Sequence, residues 1–185
     1  MAAPKGPRGT GRQRVLDAAL PLFAQYGVRG TSLQMIADQL GVTKAAVYHQ
    51  FHAKEQIALA LLEPMFASML ATVEASEREP DEDRRRTIAV EGLVDVLLAQ
   101  RNIAFSLDRD SEMERLVSED EAHQALVDRL RLAVVGPAPD ARRLVAMTVF
   151  ASGLISAVRD EQLADTLDPA ALRFELVDLA RRLFG

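Results

Sequence analysis

The residues best equipped for chemistry lie close together: Thr43-Lys44-Ala45-Ala46-Val47-Tyr48-His49-Gln50-Phe51 places two hydroxyls, a cation and an imidazole within about two helical turns. At helical spacing Val47 and Phe51 turn inward, while Thr43, Lys44, Ala45, Tyr48 and His49 turn outward. An outward face of small residues, hydroxyls and positive charge suits close approach to phosphates and to base edges in a major groove. A second chemistry is also present. His49, His52 and Glu55 have the spacing His-x-x-His-x-x-Glu, which on one helical face would hold a divalent metal. The break expected at Phe51 to Ala53 separates those ligands, so neither a metal nor any other cofactor is expected. His123 sits in an acidic segment and reads as a solvated surface residue. Neither a nucleophile motif nor a glycine-rich phosphate loop is evident, so a small helical enzyme ranks far behind a binding function.

The elements that must carry these residues are helical. Apolar positions recur with a period near 3.6 from end to end, and sustained period-2 alternation is lacking. Val15, Leu16, Ala19, Phe23 and Tyr26 form a first stripe, with a kink expected at Pro21 and an end at Gly27 and Gly30. Thr31 is placed to cap a short helix carrying Leu33, Ile36, Ala37 and Leu40, closed by Gly41. A second short helix runs from about Thr43 to His49. Two such helices need a small residue where they approach and a turn residue tolerant of positive φ, which Ala37 and Gly41 supply.

Beyond Phe51 the pattern predicts an amphipathic helix from about Ala53 into Ala75, bent at Pro64. Glu77 to Arg86, charged except at Pro80, reads as a solvated linker. Further helices are expected over about Arg86–Leu107, Glu112–Val135 and Asp140–Arg159, and a last one from Asp168-Pro169 to the C-terminus. The uncharged run Leu144 to Val158 is shorter than the ~20 residues of a bilayer span and reads as a buried helix, so no membrane partner is expected.

The chain has 185 residues, 49% of them hydrophobic and 26% charged, enough for one or two compact units. Its net charge of −5 conceals an asymmetry. Through Ala60 seven basic residues face three acidic ones, a balance of +4, whereas the remainder carries −9, and all the lysines (Lys5, Lys44, Lys54) fall in that first part. A basic head on an acidic body points one end toward a polyanion. The absence of cysteine excludes disulfide and thiolate sites and fits a cytoplasmic location. Residues 1–14 read as a basic arm, with Arg8, Arg12 and Arg14 either reaching DNA or merely solubilising the chain.

From Arg14 to about Leu62 the chain resembles the TetR family. The resemblance rests on Arg14-Val15-Leu16-Asp17-Ala18-Ala19, Leu22-Phe23-Ala24 with Tyr26-Gly27, Thr31-Ser32-Leu33 with Ile36-Ala37, Leu40 through Phe51, and Lys54-Glu55. It implies an all-α fold: a three-helix DNA-binding head with a helix-turn-helix, here residues 1–53, and a helical body for effector binding and dimerisation, here 54–185. It implies a homodimer on a palindromic DNA operator, with recognition helices in successive major grooves about 34–36 Å apart. Carried over by position, Thr43 and Tyr48 correspond to phosphate contacts, Lys44 and Ala45 to base-facing residues, and His49 to a backbone or base contact. Thr31 and Lys54 correspond to further phosphate anchors at helix starts. Ala53 departs from the Ser or Asn usual before that lysine, removing a side-chain cap, and Pro21 is an unusual mid-helix residue.

The resemblance favours a repressor released by a small effector, with an activator or a ligand-independent regulator as alternatives. For the body it gives layout only. Phe66, Met69, Phe105, Met147 and Phe150 are candidates for an effector pocket suited to an apolar ligand. The last two long helices, with small residues around Gly153 and with Leu172, Leu176, Leu179 and Leu183, are candidates for the dimer interface.

Overall fold

The computed structural model describes residues 11–101 and 111–184, and they are helical with short turns. The expected all-α class is therefore observed. Packing divides the chain into a head unit, comprising residues up to 62 with 106–117, and a body unit of 63–105 and 118–185. This division falls inside a helix.

The head begins with α1 (Gly11–Gly30), whose Val15, Leu16, Ala19 and Phe23 are buried. The helix runs through Pro21, and its non-helical residue is Gly27, at φ 72°, a left-handed value that glycine adopts without Cβ strain. Tyr26 does not complete the buried stripe: it is exposed, and Val28, beyond the Gly27 kink, is buried instead. α2 (Leu33–Leu40) is capped by Ser32, whose Oγ accepts from the Met35 N–H at 3.2 Å. The cap is therefore one residue later than Thr31. At its other end Gly41 (φ 65°) donates to the Asp38 carbonyl and Val42 to that of Ala37, so the reversal is closed by backbone bonds that need a left-handed residue.

That turn delivers α3 (Lys44–Gln50), capped by Thr43, whose Oγ1 accepts from the Ala46 N–H at 3.3 Å. Ile36, Ala37 and Val47 are wholly buried and Phe51 nearly so, which locks α2 and α3 against α1. α4 (Lys54–Glu77) spans the boundary between the units. Gln56 Oε1 accepts from the His52 N–H at 2.9 Å, tying the segment just before α4 to its first turn.

The body is built on α5 (Glu82–Ala99), α7 (Glu121–Val135), α8 (Ala141–Arg159), a short α9 (Glu161–Thr166) and α10 (Pro169–Phe184). α6 (Ser111–Glu119) precedes α7, so the single helix expected over Glu112–Val135 is interrupted at Asp120. The reason is capping: the Asp120 carboxylate accepts from the Ala122 and His123 N–H groups and starts a new helix. Asp81, Asp140, Asp160 and Asp168 act likewise for α5, α8, α9 and α10. Part of the body's negative charge is thus invested in helix starts, where it meets the positive dipole end.

Three expectations about the body are corrected. Arg86 does not lie in a solvated linker; it is buried in α5, its Nε donating to the Val134 carbonyl at 2.9 Å and its other nitrogens to Asp83 and Glu82. His123 is not solvated; its side chain is 17% exposed and its ring stacks on Phe66 with centroids 3.7 Å apart. Leu144–Val158 is not a buried helix: Val145 and Val149 are 63% and 58% exposed, and only one side of α8, with Ala146, Phe150, Leu154 and Val158, faces the core. α4 and α8 are each long and apolar enough to cross a membrane, a property that core helices of soluble proteins share. α4 and α5 approach closely at Gly92, where a Cβ would collide with the Thr72 side chain.

Candidate nucleic-acid interface

α3 presents the expected residues as the sequence pattern requires. Thr43, Lys44, Ala45, Tyr48 and His49 are all exposed, while Val47 is fully buried beneath them. The rod cannot roll without withdrawing Val47 and Phe51 from the core. The Thr43 oxygen accepts from the Ala46 N–H, which leaves its hydroxyl hydrogen to donate elsewhere. Two residues later the first turn of α3 offers N–H groups at the positive end of the helix, next to the Lys44 ammonium.

Tyr48 is 51% exposed and its ring meets His52 edge-on, centroids 4.8 Å apart, so the phenol is braced while its oxygen stays at the surface. His49 Nδ1 lies 3.1 Å from the Gln50 amide nitrogen. Arg12 stacks over the Phe51 ring at 4.4 Å, which ties the basic start of α1 to the end of α3. Arg8 and the rest of the arm before Gly11 lie outside the described residues. His49, His52 and Glu55 are not gathered, and among the described residues no three metal-ligating side chains are grouped.

Two expected phosphate anchors have other employment. Thr31 is 2% exposed, and its hydroxyl donates to the Gly27 carbonyl at 2.8 Å, with the Leu22 carbonyl at 3.2 Å. It stitches the kinked end of α1 and is not available to a phosphate. Lys54 Nζ donates to the carbonyls of Arg29 at 2.8 Å and Thr31 at 3.0 Å, satisfying the C-terminal end of α1 and leaving one N–H for an outside anion. Pattern alone placed both residues at helix starts but carried no signal of the chain end folded against them.

The same corner holds a carboxylate that the sequence did not single out. Glu112, buried on α6, pairs with Arg115 and with Arg29 Nε at 3.3 Å. The Arg115 hydrogen bond, reinforced by the Arg29 and Lys54 charges, holds its carboxyl below the ordinary range despite desolvation. It lies far from Arg29 in sequence, so no local pattern could have revealed the pair.

The effector-pocket candidates have mixed placements. Phe66 and Met69 are buried on α4, Phe150 is buried against Phe184 with ring centroids 5.7 Å apart, and Met147 is half-buried on α8. Phe105 lies outside the described residues. Phe66 and Phe150 have different ring partners, His123 and Phe184, so these contacts do not gather the candidates around one space.

Residues 15–61, from the first buried position of α1 into α4, match the family model described as bacterial regulatory proteins, tetR family. The chain is similar to the HTH-type transcriptional regulator SrpR of Pseudomonas putida, 45% identical over 51 residues, which are 28% of this chain and 24% of that protein. It is also similar to the HTH-type transcriptional repressor AcnR of Corynebacterium efficiens, 30% identical over 125 residues, 66% of this chain and 64% of the other. It therefore spans between about a quarter and just under two thirds of the length of these relatives. In fold it is similar to the FadR regulator of Bacillus subtilis solved with stearoyl-CoA, with a TM-score of 0.62, 18% identity, and coverage of 91% and 96% of the two chains. These named proteins are regulators and not enzymes. With its helix-turn-helix and the family match over residues 15–61, the chain carries a TetR-family DNA-binding head.

Proposed function

We propose that this regulator is a repressor that binds a palindromic operator as a homodimer and is released by a small, largely apolar effector. The single observation that carries the DNA reading is the buried Val47 and Phe51 beneath an outward Thr43, Lys44, Ala45, Tyr48 and His49. Thr43 and Tyr48 reach phosphates, Lys44 and Ala45 face base edges, and His49 takes a backbone or base contact. Lys54 contributes through its remaining N–H.

The dimer is formed through α8 and α10. Val145, Val149, Ser152, Gly153 and Ser156 form an exposed small and apolar stripe on α8, and Phe174 and Leu179 are 65% and 51% exposed on α10. Such side chains on a globular surface favour a second copy, and small residues let helices approach closely. The effector reading draws support from the stearoyl-CoA in the B. subtilis FadR structure and from the apolar body interior. An effector that binds better to a dimer with a non-matching head spacing lowers DNA affinity by that preference. A DNA-binding protein of this kind acts in the cytoplasm.

Gel retardation with promoter fragments adjoining the protein's own gene tests the reading. Retardation that weakens steeply with salt is expected. No retardation of any such fragment at low salt overturns it, and increased transcription from a bound promoter replaces repressor with activator. Sedimentation should show a dimer that Val149→Asp dissociates. A monomer at all concentrations, or detergent-dependent solubility, removes the assignment of α8 and α10 as a protein interface.

A further inference from the structure

The body contains a groove that none of the five pocket candidates lines. It has a volume of about 320 Å³, near the lower end of small-ligand sites, and lies among α5, α8 and α10. Its floor is apolar: Val90 of α5 and Val177, Ala180 and Phe184 of α10, all at most 5% exposed. Phe184 is held in place edge-on by Phe150, so this floor is prebuilt.

The rim is charged, and its cations differ in what they already hold. Arg86 spends its guanidinium on Val134, Asp83 and Glu82, and Arg181 Nη2 donates to Glu91 at 2.8 Å. Those pairs also neutralise the lining carboxylates Asp83 and Glu91. Arg143 is different. Its Nη1 stands 3.7 Å from Glu82 Oε1, too far for a hydrogen bond, and its side chain is 40% exposed. Glu82 itself is engaged at 3.0 Å by Arg86. The lining thus joins an apolar floor to one guanidinium with donors to spare; with Glu82 beside Arg86 and Arg143, three arginines face three carboxylates, so no excess of negative charge opposes a singly charged ligand.

We propose that this groove binds a small amphipathic monoanion, with its apolar portion on Val90, Val177, Ala180 and Phe184 and its anionic end on Arg143. A doubly charged anion would meet Glu82, Asp83 and Glu91 without a second available cation. A neutral ligand would make no use of the spare Arg143 donors. The site is independent of the operator reading, because binding to it is measured on the protein without DNA.

Calorimetric titration of the full chain with octanoate, in the absence of DNA, tests it, with octanol as the neutral ligand of the same chain length. Saturable binding of octanoate, at least tenfold tighter than octanol, is expected. Arg143→Glu should weaken octanoate at least tenfold, and Thr87→Trp, at an exposed lining position, should block the groove to a similar extent. Circular dichroism establishes that each variant is folded; should Arg143→Glu unfold, Thr87→Trp decides. Equal binding of octanol and octanoate, unchanged octanoate binding in either folded variant, or only non-saturable uptake overturns the proposal. None of these outcomes bears on promoter retardation, so the two readings fail separately.

Discussion

In the head, the residues that shape the α2–α3 turn are sequence neighbours of the two helices they orient; in the body, the side chains that tie one helix to another come from far apart in the chain. Ser32, Gly41 and Thr43 define the α2–α3 turn within a dozen residues. In the body, Arg86 reaches the Val134 carbonyl, Arg129 reaches Glu77 and Arg173 reaches Asp95, joining α5 to α7, α7 to the end of α4, and α10 to α5. A locally specified unit keeps its surface geometry when its neighbours change. A unit joined by distant pairs has an interior that can be re-partnered, which suits a region that answers to a ligand.

This contrast predicts effects of decreasing size. Phe51→Ala removes the buried ring beneath α3 and should destabilise the head by about 3–5 kcal/mol, read by chemical denaturation, with DNA binding lost alongside. A body of unchanged stability under two separate transitions would support the division. Gly92→Val places a side chain against Thr72 and should cost about 1–3 kcal/mol in the body, with the head transition unmoved. Arg86→Leu leaves the Val134 carbonyl unpaired beside two carboxylates and should cost about 1–3 kcal/mol. Gly41→Ala forces a Cβ into a left-handed turn at about 1–2 kcal/mol, shown by a lower melting temperature of the head.

The smallest effect is a pH dependence at the surface. Arg129 holds the Glu77 carboxyl below its ordinary 4.5, chiefly by hydrogen bonding, so the folded state binds that proton less readily than the unfolded chain does. The resulting stability is complete above the ordinary carboxylate range and declines as pH falls through the lowered value. Glu77→Gln should flatten the stability profile slightly below pH 4.5 and do little at neutral pH, because the pair is partly solvated. A larger neutral-pH loss than in Arg86→Leu would reverse the ranking of surface and buried pairs.

The legibility of the molecule follows the same contrast. The exposed face of α3 was readable because period, cap and turn residue all act within a few positions. Thr31 misled because a residue next to a helix start has the right type for a phosphate anchor, and only the folded chain shows its hydroxyl bonded to the α1 carbonyls; Lys54 likewise spends two of its donors on the chain end folded against it. In the body, hydrophobicity foretold helices but not their sides: Val145 and Val149 have the same composition as a core and stand in the open. Charge misled in the reverse direction at Arg86, where partners in α5 and α7 make burial affordable, and at His123, whose ring finds Phe66. The interruption at Asp120 was written in the sequence as a cap inside a periodic run, a signal that periodicity counting passes over.

The most direct measurement of the central claim is amide hydrogen exchange on the protein alone and with a retarded promoter fragment. The account predicts new protection concentrated in α3 and the start of α2, with the Thr43 to His49 segment most affected. Unchanged exchange across α3 while DNA is bound, with protection elsewhere in the chain, would contradict it.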